Sequence, residues 1–110
     1  MKKLLLALFL LFTPGIASAK YINVEGELTV ILNWEGHNGH LVKISNMQST
    51  AGICPRNDYY ILHQNHQFVK ENYSLLLSAR VSGKPVKVVV SDDANNKCED
   101  GFPRIFHLYL

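Results

Sequence analysis

The sequence is short of several things, and each shortage removes a class of function. Its 110 residues contain two cysteines, Cys54 and Cys98, and no Cys-x-x-Cys pair, so a thiol redox centre has no motif to stand on. There is no Gly-x-Ser-x-Gly elbow for a hydrolase nucleophile. Charge of one sign is also lacking. Of the eleven Lys and Arg residues, Lys2 and Lys3 lie in the first nineteen positions, and the nine that remain balance nine acids. Nucleic acid would demand a basic excess or a dense patch, and the basic residues from Lys20 to Arg104 are scattered. Beyond residue 19 no apolar run approaches the roughly 20 residues that span a bilayer as a helix, so no integral membrane segment is expected once the first segment is removed. Internal repeats and low-complexity linkers are missing as well.

What is present begins with a leader. Met1-Lys2-Lys3 is a positive start, Leu4 to Phe12 an unbroken apolar stretch, and Pro14-Gly15-Ile16 a break before Ala17-Ser18-Ala19, whose small residues suit signal peptidase. Residues 1–19 therefore read as a signal peptide of bacterial type. Residues 20–110 read as a single domain, exported to the periplasm or secreted. A chain of this length holds one small core.

In such a compartment two cysteines pair. A bridge between Cys54 and Cys98 would close a loop worth about 4 kcal/mol of denatured-state entropy on the chain-entropy model. Against a total stability of about 5–10 kcal/mol for a small domain, that is a large share.

Hydrophobic period and turn residues divide the domain. Leu28, Val30, Leu32 and Trp34 alternate along Gly26 to Trp34, which predicts a first strand with those four on one face. Glu35 to Gly39 is rich in residues that accept positive φ, so the chain reverses into a second strand, His40 to Ser45. Tyr59-Tyr60-Ile61-Leu62 carries a third, Asp58 to His63. The period then lengthens. Asn72 is placed to cap a helix from Tyr73 to Ser82, with Tyr73, Leu76, Leu77 and Arg80 on one side, extended by Leu75 and Ala79. Gly83 stops it in the left-handed region and Pro85 prevents its resumption. Val86 to Val90 is a β-branched fourth strand, Ser91 to Gly101 a long polar loop, and Arg104 to Leu110 a last strand.

The order β-β-β-α-β-β is mainly β, within the α+β class. Five short strands with the helix between the third and fourth match a small OB-like, partly open barrel. An antiparallel sheet with the helix laid across it has the same order.

At the helix and fourth strand the sequence resembles a known family. The stretch from Tyr73 to Val88 carries Ala79, Gly83, Pro85, Val86 and the basic Lys87 at positions that match the B subunits of subtilase cytotoxin and related pertussis-like toxins. There a helix carrying an alanine ends in Thr-Gly-Gln-Pro-Val-Arg-Ile. Two cysteines at similar places and a leader fit the same exported family. The resemblance implies an OB fold, a pentameric ring, binding of sialylated glycans and carriage of an enzymatic subunit.

Candidate chemistry is sparse. His37/His40 and His63/His66 form two His-x-x-His pairs, and four imidazoles are enough for zinc. Neither pair falls on a predicted helix, and no Glu follows the first His as a zinc protease requires, so both read as polar turns. No metal and no cofactor are expected. Ser74, Ser78 and Ser82 recur as the less apolar side of the helix, and Asp92, Asp93, Glu99 and Asp100 lack the ligand order of an EF-hand. Asn72-Tyr73-Ser74 is formally a glycosylation site that matters only in a eukaryotic secretory route.

Aromatic residues remain. Trp34, Tyr59, Tyr60, Phe102 and Tyr109 include strand-end and loop-edge positions where a ring face beside Asn or Asp stacks on a sugar. Trp34, Tyr59 and Tyr60 are the expected ligand contacts, with completion of a small core as their competing role. The expectation is an exported, non-enzymatic binding module with a glycan or protein ligand, able to form homo-oligomers through strand edges. The alternative is a periplasmic inhibitor or immunity protein that blocks a partner enzyme.

Overall fold

The first strand, expected over Gly26 to Trp34, is confined to Leu28–Leu32, and a strand not expected from the sequence, Tyr21–Gly26, precedes it. The computed structural model describes residues 20–110, and the leader expected over residues 1–19 lies outside the described residues. β1 (Tyr21–Gly26) and β2 (Leu28–Leu32) follow one another across Glu27 and enter different sheets. The expected single face of Leu28, Val30, Leu32 and Trp34 is broken by a bulge. Leu28 opposes Ile44 while Val30 already opposes Lys43, and that extra residue inverts the side-chain phase. Leu28 is buried, and Ile31 rather than Val30 packs on the main core. Trp34 lies past the strand end and is 62% exposed.

β3 (Gly39–Ile44) runs antiparallel to β2, and β4 (Tyr60–His63) antiparallel to β3. The second sheet has β5 (Val86–Ser91) at its centre, between β1 and β8 (His107–Tyr109). The last strand is shorter than expected, because residues 104–106 bond to three different segments. Arg104 N–H donates to Lys97 O, Ile105 N–H to Ile61 O and Phe106 N–H to Val89 O, each at 2.8–2.9 Å. The Ile61–Arg104 contact is a parallel bridge, and it joins the sheets on the side away from the β1–β2 bend.

Helix α1 (Val69–Ser82) begins a turn earlier than the sequence indicates. Asn72 is not its cap: the N-cap is Phe68, which offers no side-chain bond, and Asn72 is buried in the helix. The start is set by the preceding turn, where the Phe68 N–H donates to His66 Nδ1 at 2.9 Å. The stop is the expected one. Gly83 has φ +72°, and its N–H donates to Ala79 O at 2.8 Å. Of the leucine triplet, Leu76 alone is fully buried, Leu75 is half-buried and Leu77 is exposed.

Within the expected polar loop lies β6 (Cys98–Glu99), which pairs with β7 (Phe102–Pro103) just beyond it as a third, two-stranded sheet. Asp100 and Gly101 connect them at φ +54° and +85°, the two consecutive left-handed residues of a tight hairpin turn. Cys54–Cys98 is disulfide-bonded, with Cα atoms 5.8 Å apart, and clips this hairpin to the segment ahead of β4.

Among the described residues the molecule is thus a small α+β domain, mostly strands, with one α-helix, three sheets and no closed barrel. The main core gathers Val24, Leu28, Val42, Ile44, Tyr60, Leu62, Leu76, Val88 and their neighbours between the two larger sheets and the helix. Because strand residues alternate, β3 and β4 also bury Leu41 and Ile61 on the opposite face, where Phe102 of the hairpin covers them. Sheet β2-β3-β4 is therefore covered twice. The smaller cover carries the candidate site. Among the described residues no helix is long and apolar enough to cross a membrane.

Candidate functional site

Trp34 opens a four-residue turn, closed by His37 N–H donating to Trp34 O at 3.3 Å and with Gly36 at φ +96°. Both shoulders of that turn are tied down. On one side Asn33 Oδ1 accepts from His40 Nδ1, Asn33 Nδ2 donates to the Tyr73 hydroxyl at 3.2 Å, and the His40 and Tyr73 rings stack with centroids 4.1 Å apart. On the other side Asn38 N–H donates to Asp100 Oδ2 at 2.8 Å, and Asn38 Nδ2 reaches Glu99 and Asp100 at 3.3 Å. The helix holds one shoulder and the disulfide-clipped hairpin the other. A tryptophan left in water on such a fixed turn is costly to leave uncovered and well suited to contact.

Two clefts adjoin it and share Trp34 and His37. A polar one of about 310 Å³ is lined further by Asn33, Glu35, His40 and Gln64. The other, of about 360 Å³, has Leu32, Leu41, Arg56 and Tyr59. Each is about the size that takes a small ligand or a single ring. Phe102 is the hub beneath the second cleft: His37 meets it edge-on at 5.2 Å, Tyr59 edge-on at 6.3 Å, and the Arg56 guanidinium lies 4.3 Å over its ring. Phe102 itself is fully buried.

The basic groups here, Arg56 and Lys43, are both engaged. Arg56 donates to both oxygens of Asp58, at 3.2 and 2.6 Å, and this hydrogen-bonded fork holds the Asp58 carboxyl below its ordinary range. Lys43 lies 4.9 Å over the Tyr59 ring. Burial pushes His40 below the usual histidine value, so it presents a neutral ring.

Of the three expected ligand contacts, Trp34 and Tyr59 line the clefts and Tyr60 does not. Tyr60 is fully buried in the main core, its hydroxyl 2.8 Å from Thr50 Oγ1, and burial raises its phenol above the usual value against that hydrogen bond. Adjacent strand residues face opposite ways, so Tyr59 and Tyr60 cannot serve one surface. Tyr60 is corrected to a core residue. Tyr109 is exposed on the other sheet, beside Lys87.

The four paired histidines go to separate partners. His37 faces Asp100 at 3.6 Å, His63 Nε2 reaches Glu99 at 3.1 Å, His66 Nε2 donates to Phe106 O at 2.7 Å, and His40 is held by Asn33. Among the described residues no three His, Cys, Asp or Glu side chains gather as a metal-holding group. His37–Asp100 and His63–Glu99 are two separate His–carboxylate contacts.

Asn33, His37 and Arg56 were not singled out in sequence for the site. One available signal was Asp100-Gly101, a two-residue hairpin dipeptide whose reading would have brought Phe102 back over the sheet. A further cleft of about 280 Å³, lined by His66, Phe68, Arg104, Phe106 and His107 among others, lies elsewhere. No family model, curated protein or solved structure matches the chain.

Proposed function

We propose that this chain is an exported, non-enzymatic binding module whose ligand is a glycan held against Trp34. The observation that carries the reading is the fixed, 62% exposed Trp34 that lines two adjoining clefts, one polar and one walled by Tyr59. Indole and phenol faces stack on the C–H face of a sugar ring, while Asn33, Glu35 and Gln64 offer hydrogen bonds to its hydroxyls. Export rests on the sequence of residues 1–19, and the disulfide is of a kind that persists outside the cytoplasm.

The same reading takes the fold as OB-like and related to toxin B subunits. Its support is topological. Residues 21–32 form one bent run shared by both larger sheets, the helix sits between β4 and β5, and a parallel bridge between Ile61 and Arg104 links the sheets on the far side. Leu77 and the 90% exposed Val81 give α1 an uncovered apolar flank, which fits association with further copies.

The test is a glycan array with wild type and Trp34→Ala, each checked for native folding by circular dichroism. Binding that Trp34→Ala removes with the fold intact is the expected result, and an array with no signal rejects it. An array without signal, combined with a nanomolar complex between the monomer and one enzyme, would move the Trp34 turn to the alternative of an inhibitor or immunity protein.

A further inference from the structure

We infer that the two clefts beside Trp34 select neutral sugar rings, one in each cleft, and reject glycans that end in a carboxylate. The inference deepens the glycan reading and rests on it. It departs from the sialylated ligands that the toxin resemblance implies.

The geometry argues for two rings. Both clefts open on Trp34 and His37, so a ligand that fills one is in contact with the wall of the other. A disaccharide whose linkage crosses the indole edge would bring one ring against Tyr59 and Leu32 and the next against Asn33, Glu35 and Gln64.

The charges argue for neutrality. A bound carboxylate is recognised by a free guanidinium or ammonium, best through two parallel N–H bonds. Arg56 is the arginine that lines these clefts, and its fork is already closed on Asp58. Its flat face is laid on Phe102, which fixes the guanidinium where Asp58 can keep it. Lys43 stands over Tyr59 and also acts on Asp58. Against Arg56 and Lys43 stand Glu35 in the polar cleft, Asp58, and the pair Glu99 and Asp100 that anchors Asn38. The surroundings of Trp34 therefore hold more acid than base. His37 is turned to Asp100 and half-buried His40 is held by Asn33, so both rings are already engaged. A carboxylate entering here would meet like charge and would find the Arg56 charge already compensated by Asp58.

The experiment compares lactose with sialyllactose in solution, together with an array of neutral oligosaccharides and their sialylated forms, for wild type, Trp34→Ala and Asp58→Asn. Wild type is expected to bind neutral forms at least about tenfold more tightly than their acidic counterparts, with binding lost in Trp34→Ala. Asp58→Asn frees the guanidinium, and the neutral-to-acidic ratio is expected to fall by about threefold or more. Wild-type preference for the sialylated forms, or an unchanged ratio in Asp58→Asn, overturns the inference. So does acidic binding that survives Trp34→Ala and is lost in Arg104→Ala, which would put the acid in the cleft beside Phe106. Silence toward every glycan, neutral and acidic alike, defeats the underlying glycan reading instead.

Discussion

Truncating Phe102 tests whether the hairpin that closes on β3 and β4 both stabilises the domain and shapes the site. The ring is fully buried over Leu41 and Ile61, and it touches His37, Tyr59 and Arg56. Burying a phenylalanine removes about 150–250 Å² from water, which at about 25 cal/mol per Å² is about 4–6 kcal/mol as an upper bound. Measured losses for Phe→Ala in cores run about 3–5 kcal/mol. The low end applies to Phe102→Ala, because the half-buried neighbours Tyr59 and Leu32 can settle into the gap. A loss of about 3 kcal/mol would be roughly 30–60% of the about 5–10 kcal/mol expected for a domain of this size. Urea unfolding followed by far-UV circular dichroism should show a lower midpoint with an unchanged slope. Phe102→Leu separates the two roles: the volume is nearly kept, so about 1.5 kcal/mol or less is lost. The ring under His37 and Arg56 disappears, however, and sugar affinity at Trp34 should fall about three- to tenfold. A Phe102→Ala loss below about 1 kcal/mol, or Phe102→Leu binding equal to wild type, would refute the account of the hairpin as the floor of the site.

Further outcomes follow from other parts of the structure. Replacing Cys54 and Cys98 together by serine should cost about 2–4 kcal/mol in urea unfolding, because the bridge closes a 44-residue separation, and reduction of wild type should lower its midpoint similarly. Gly39→Ala should destabilise by more than about 2 kcal/mol, since an added Cβ would lie 2.1 Å from Leu62 O on the paired strand; a thermal midpoint within a degree of wild type would contradict this. Burial lowers His40 below 6.5, so the unfolded chain binds the proton more readily. Its stabilising contribution is full above about pH 6.5 and declines as pH falls through that value toward the folded pKa. Urea midpoints between pH 7.5 and 5 should therefore drop more steeply for wild type than for His40→Phe, and parallel curves would exclude His40 as the cause.

Local signals in the sequence were sufficient where one residue decides the geometry. Gly83 ends α1 as its freedom at positive φ requires, Val86 to Val90 makes a strand through β-branching, and the two cysteines pair. They were insufficient where a distant partner decides. The bulge after Leu28 depends on how β2 meets Ile44 and Lys43, and periodicity within Gly26 to Trp34 carries no trace of it. Asn72 has the chemistry of a cap, yet the turn at His66 starts the helix sooner and leaves Asn72 inside. Tyr59 and Tyr60 looked equivalent as aromatics. Strand alternation separates them once Phe102 is known to give β4 two buried faces, and only Tyr59 then reaches the clefts.

The bridge between Cys54 and Cys98 has a consequence for where the protein works. The strand pair it secures supplies the aromatic bed beneath Tyr59 and the acids that steady Asn38, so reducing the bridge loosens recognition and folding together. Newly made chains in a thiol-rich cytoplasm would be poor ligand scavengers. On the glycan reading proposed above, competence would arrive with oxidation, and an exported chain would gain it only outside a thiol-rich cytoplasm.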